Sequence, residues 1–147
     1  MGFLSGMDIS GSGLTAQRMR MDVISDNIAN VDTTRTADGT PYTKKYVVLA
    51  ERSDFAGVLK NASGGTSGSV SGGVRVTEIG EDTTTPYQLV YDPTNPDAGE
   101  DGYVRMPNVD ITQEMVDMIS AYRSYEANVT AFNAYKDMAI KSLEIGK

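Results

Sequence analysis

A chain of 147 residues has the length of one ordinary domain, but only 39% of it is apolar, with no Trp and three Phe. That suits a long helical seam and a small sheet better than a large closed core. Neither His nor Cys is present, which removes thiolate nucleophiles, Cys or His zinc sites, Ser-His-Asp triads, imidazole acid–base catalysis and disulfides.

The net charge of −7 is unevenly placed, because residues 81–101 hold six acids and no base while both ends are close to neutral. No basic patch exists to take nucleic acid. The opening MGFLSGMDISGSG lacks a basic region followed by an apolar one, so no secretory signal peptide is expected. The longest apolar run, Tyr46 to Ala50, is far below the ~20 residues that span a bilayer, so no membrane insertion is expected.

The first element is a helix. Leu14, Met21, Ile24, Ile28 and Val31 fall on three- and four-residue steps, with Gln17 as the one polar break, the pattern of a helix lying lengthwise on another. Gly2, Gly6, Gly11 and Gly13 weaken the stretch before it, since an interior Gly costs a helix about 1 kcal/mol relative to Ala. Helix is therefore expected from Leu14 to Val31, and upstream only where a partner covers the stripe. Asn27 and Asn30 lie three apart beside this seam. They either fray a helix end or fix register between subunits, as a buried Asn does in a coiled coil. Turn chemistry from Asp32 to Pro41 ends the helix.

Strand patterning follows: Tyr42 to Glu51, Val74 to Ile79 and part of Tyr87 to Tyr91 are rich in β-branched and aromatic residues or alternate with period two. Three strands are expected. A Gly/Ser-rich insert at 62–73 reads as a mobile connection, and 92–102 as a turn-rich acidic loop. That loop lacks the ligand spacing of a calcium loop, and neither Ser/Gly run ends in the Gly-Lys-[Ser/Thr] of a phosphate loop. No cofactor or metal is expected.

The last element is again helical. Asp110 is placed to cap it, with Gln113 three residues on and no Pro or Gly from Asn108 to Ile145. Met115, Met118, Tyr122, Tyr125, Val129, Phe132, Ala139 and Leu143 form its stripe, broken once at Lys136. The architecture expected is α+β: an N-terminal coiled-coil helix (1–35), a β-rich middle (36–107) and a C-terminal coiled-coil helix (108–147), the two helices pairing as a coiled coil. Glu114 and Asp117 are the acids a carboxylate hydrolase would need, but they sit at helix-surface spacing with no cleft around them. An assembly subunit is the better reading, and the candidate interface residues are Leu14, Met21, Ile24, Asn27, Ile28, Asn30, Val31, Met115, Met118, Tyr122, Tyr125, Val129, Phe132 and Leu143. A homomeric coiled-coil adaptor is the alternative.

Two segments also carry a resemblance. Ile24-Ser-Asp-Asn-Ile-Ala-Asn-Val-Asp-Thr-Thr34, preceded by Gly13-Leu-Thr-Ala-Gln-Arg18, resembles the N-terminal signature of the bacterial flagellar rod and hook family. Gly102 to Asp110, Glu114 to Ile119 and Ser124 to Asn128 resemble its C-terminal part. The length and the segment Thr33 to Tyr42 fit the FlgC-type proximal rod members better than hook or distal rod proteins. Position 26 is Asp where the family commonly has Asn, and 57–80 carries no resemblance. The resemblance implies a non-enzymatic rod subunit of the flagellar basal body, in a hollow axial shaft that transmits torque and passes exported subunits. Its partners would be other rod proteins, copies of itself and the flagellar export apparatus, which it would leave through without a cleaved signal peptide to work where the rod spans the periplasm.

Overall fold

A computed structural model describes residues 3–52 and 72–145. Its elements are α1 (Phe3–Ala29), β1 (Lys45–Glu51), β2 (Val74–Glu81), β3 (Gln88–Tyr91), β4 (Tyr103–Met106) and α2 (Ile111–Ile145). β1 pairs with β2 and β3 with β4, giving two separate two-stranded sheets. The fold is α+β, with the two long terminal helices packed together and a small β middle. The chain divides into two compact units, one of Met1–Met19, Val48–Glu78 and Ala121–Lys147, the other of Arg20–Val47 and Ile79–Ser120.

In the first unit the early part of α1 lies antiparallel to the later part of α2. A Cβ built on Gly6 would stand 2.6 Å from the Tyr135 ring, and one on Gly13 would stand 2.8 Å from the Asn128 side-chain oxygen. Seven residues forward along α1 thus answer seven residues back along α2, one heptad on each helix. Ala16 and Ala121 are buried here, small side chains that let the backbones approach. Ser12 Oγ donates to Ile9 O at 2.7 Å and accepts the Val74 N–H at 3.0 Å, tying the start of β2 to α1.

These contacts explain why α1 begins at Phe3 rather than at Leu14 as expected. Gly6 and Gly13 were read as helix weakeners. They are instead the points where another helix comes closest, and packing against Tyr135 and Asn128 offsets their poor propensity. The covering partner is the chain's own C-terminal helix.

In the second unit, α1 ends at Ala29 and a chain of turns carries the backbone round, with Thr33 N–H on Asn30 O at 3.1 Å and Gly39 N–H on Thr36 O at 3.0 Å. β3 and β4 are antiparallel, Gln88 opposite Met106 and Tyr91 opposite Tyr103, with those two tyrosine rings edge to face at 5.2 Å. β4 is a fourth strand beyond the three expected, and the acidic loop is the connection between it and β3. Asp110 caps α2 as expected, accepting the Thr112 N–H at 2.8 Å. Gln113 does not complete a capping box, because its amide donates forward to Asp117 at 3.3 Å. Most of the Gly/Ser insert expected at 62–73 lies outside the described residues.

Candidate assembly site

The most constrained place in the second unit is polar. Asn27, on α1, is 1% exposed, and all of its amide is used. Its Nδ2 donates to Lys45 O at 2.9 Å and to Glu114 Oε2 at 3.0 Å. Its Oδ1 accepts the Lys45 N–H and the Tyr42 hydroxyl, both at 2.9 Å. The side chain therefore pairs with both polar groups of one β1 residue, as a neighbouring strand would, while also holding α2.

Asn108, just before α2, binds the residue preceding Lys45 by its N–H alone. Its Oδ1 accepts the Lys44 N–H at 2.8 Å, and its Nδ2 donates to Asp82 O at 2.8 Å and Thr85 O at 3.2 Å. Two buried asparagines, one on α1 and one just before α2, thus bind the consecutive residues Lys45 and Lys44 where the chain enters β1.

Glu114 is 1% exposed, and the Lys44 ammonium meets its Oε1 at 2.6 Å. A buried carboxylate requires such a partner together with hydrogen bonds to its other oxygen, which Asn27 supplies. Burial raises the Tyr42 phenol pKa, with Asp26, Glu114 and Glu81 adding to the shift. The phenol therefore keeps the proton it donates to Asn27.

Three of the six acids of the 81–101 stretch bond within the chain itself. Asp82 takes the N–H and hydroxyl groups of Thr84 and Thr85, and these bonds hold its carboxyl well below the usual carboxylate range. The Thr94 hydroxyl and N–H lower Asp92 likewise. Asp97 accepts the Thr34 hydroxyl at 2.7 Å and meets Arg35 at 3.6 Å. Among the described residues no three His, Cys, Asp or Glu side chains converge as metal ligands do, and no helix is long and apolar enough to cross a membrane.

The residues expected at an interface fall into three sets. Ile24 and Asn27 are buried within the chain. Leu14, Met21, Ile28, Asn30, Val31, Met118, Tyr125, Val129 and Phe132 are half-buried. Met115, Tyr122 and Leu143 face outward, at 53%, 55% and 74% exposure. Every polar atom of the Asn27 amide is satisfied within the chain. Asn30 turns back to its own helix, donating to Asp26 O at 2.9 Å.

Lys44, Tyr42, Asn108 and Glu114 were missed as a cluster. Their one sequence signal is Glu114, an acid three residues after Ile111 and four before Met118 on an otherwise apolar arc.

Ile111, Val116 and Ile119 are exposed beside Met115. Successive helix residues turn by about 100°, so Ile111, Met115 and Ile119 share a stripe whose centre lies about a quarter turn round the helix from Glu114. Their apolar side chains thus run along one side of α2 in solvent.

Two family models match the chain, one described as flagella basal body rod protein over residues 7–35, the other as flagellar basal body rod FlgEFG protein C-terminal over residues 100–145. The chain is 50% identical to the flagellar basal-body rod protein FlgC of Bacillus subtilis, over 96% of each chain. Against the protein of that name from Borreliella burgdorferi it is 44% identical over 99% of this chain and 98% of the relative. Against that of Aquifex aeolicus it is 39% identical over 100% and 99%.

Proposed function

Because the chain belongs to the FlgC family of flagellar basal-body rod proteins, we propose that the outward apolar stripe of α2 is where it joins its neighbours in the rod. It is a structural, non-enzymatic rod subunit, located in the flagellar basal body, and it assembles with other rod subunits. The observation that carries the stripe's role is its exposure. Ile119 is 61% and Val116 56% exposed, although the opposite face of the same helix already holds Glu114 and Ala121 inside the fold. Burial of apolar area is the main gain in association, and only the outward face still has that area to bury.

Within this reading the paired helices form the wall of a hollow shaft. The Asn27–Glu114–Lys44 clasp keeps one helix from sliding on the other, which a torque-bearing wall requires. Neighbours include copies of this chain, other rod proteins and, during delivery, the flagellar export apparatus. Export without a cleaved signal peptide, to a rod that crosses the periplasm, belongs to the same reading.

The test uses Met115→Asp and Ile119→Asp in cells that lack the wild-type chain. Both are expected to give a folded protein, judged by far-UV circular dichroism, that is absent from purified basal bodies and supports no swimming. Normal swimming with either variant would remove the stripe from the interface.

A further inference from the structure

The stripe has a counterpart elsewhere on the chain. In the first unit an open groove of about 610 Å³ is lined by Met7, Asp8, Gly11, Ser12, Thr15, Arg52 and Phe132. Gly11 is unlike the other described glycines of α1. A Cβ there meets nothing within 4 Å, whereas at Gly6 and Gly13 it runs into α2. The missing side chain therefore leaves a slot on the outside of the helix pair, with Met7 and Phe132 as apolar walls. A heterologous contact needs such a hole on one surface and a knob on another.

Charge says which surfaces can meet. The unit that carries Ile111 to Ile119 has thirteen acids against five bases, a net −8. Among the described residues, the unit that carries the groove has six acids against six bases, a net of zero. Two stripes face to face would bring −8 against −8. A stripe in the groove brings −8 against a nearly neutral surface with Arg52 at the contact. Like-charge juxtaposition suppresses wrong pairings more effectively than opposite charge strengthens right ones.

We propose that the Ile111–Ile119 stripe of one copy docks in the Gly11 groove of a second copy, head to tail. This contact rests on the rod-subunit reading and names one partner for its stripe. It is heterologous, so it does not close on two chains, and repetition extends an assembly along one direction.

The chain has no Cys, so introduced thiols are the only ones present. Purified Gly11→Cys and Met115→Cys chains are mixed in equal amounts and oxidised, and products are sized on a non-reducing gel. The expected result is a mixed dimer well above either homodimer, and a ladder of multimers from the chain carrying both substitutions. Arg52→Glu should lower the mixed product by roughly two- to fivefold, the scale of one exposed charge pair. Far-UV circular dichroism checks that Gly11→Cys keeps the fold; if it does not, Thr15→Cys, exposed on the same groove, replaces it.

Met115→Cys linking to itself as readily as to Gly11→Cys would overturn the proposal. So would a mixed yield no greater than that of Gly11→Cys with Tyr46→Cys, an exposed site on β1. If the cross-link fails while Met115→Asp still blocks rod incorporation, a different rod subunit fills the stripe and only the self-docking is refuted.

Discussion

Replacing Asn27 by Ala tests the polar clasp most directly. The substitution leaves the Lys45 N–H and C=O, the Tyr42 hydroxyl and one Glu114 oxygen without the partners they have at 2.9 to 3.0 Å. A buried polar group stranded in this way costs about 1–3 kcal/mol, more when charged. Relaxation and water recover part of the total, so the expected loss is about 3–5 kcal/mol. For a chain of this size that is a fall in Tm of roughly 6–15 °C. The control is Asn30→Ala, which removes a bond to its own helix at Asp26 and one from Thr33 and should cost below about 1 kcal/mol. Asn27→Asp discriminates further. It keeps the shape but swaps the donor facing Glu114 for a second carboxylate, so near neutral pH it should be worse than Ala, and acidification should narrow that gap as one of the two carboxyls takes a proton. Thermal melts of the purified chain followed at 222 nm read all three. Equal shifts for Asn27→Ala and Asn30→Ala, or a neutral-pH Asn27→Asp as stable as the wild type, would refute the clasp.

Lys44→Met strands the Glu114 carboxylate, whose side chain is 2% exposed, and should cost about 3 kcal/mol. Adding Glu114→Gln should recover more than half of that loss in the same melts. Gly11→Ala should raise stability by up to about 1 kcal/mol through helix propensity, since nothing stands within 4 Å of the new Cβ. Gly13→Val should lower it, because Asn128 is held in place by its bond to Ser124 O at 2.8 Å; urea midpoints of opposite sign are the check. The Asp82 carboxyl is depressed by hydrogen bonds that exist only in the fold. Its stabilising bonds are therefore fully present above the ordinary value of about 3.9 and are lost as pH falls through the lower folded value. NMR titration of the carboxyl carbon should place its midpoint below that value, and Thr84→Val with Thr85→Val should return it toward it.

The elements were legible where local chemistry decides them. Asp110 capped α2 one residue before its start, and the turn residues after Ala29 ended α1 close to the expected place. β4 was hidden because Tyr103 to Met106 is only four residues long, too short to show an alternation. The early turn of α1 was hidden because the value of Gly6 and Gly13 depends on Tyr135 and Asn128, more than a hundred residues away in sequence. The seam itself was legible only in part. Its stripe on α2 consists of two heptad columns. Met118, Tyr125, Phe132 and Ala139 turn toward the fold, whereas Met115, Tyr122 and Leu143 turn outward. The column that completes the inner face is Glu114, Ala121, Asn128 and Tyr135, and its two polar members break the apolar pattern that would reveal it. Glu114 and Asn128 are hydrogen-bonded, so their burial is set by partners rather than by hydropathy.

A heptad pattern by itself does not fix where one helix stops along another, because a slip of seven residues returns every apolar position to an apolar position. In this chain the polar and glycine positions break that degeneracy. A slip of one heptad would carry Asn27 from Glu114 to Ala121 or Pro107, neither of which has a side-chain acceptor, and would leave the Glu114 carboxylate buried with Lys44 alone. In the other unit a slip one way would bring Arg20 to where Asn128 needs an open backbone, with Gly13 then facing Tyr135. Each unit thus carries its own register mark, a buried amide in one and close-approach glycines in the other. The outward stripe lies on the helix whose height those marks determine. A neighbour that recognises Ile111, Met115 and Ile119 therefore meets them at one position only, which is the geometric condition for repeating the same contact along an assembly.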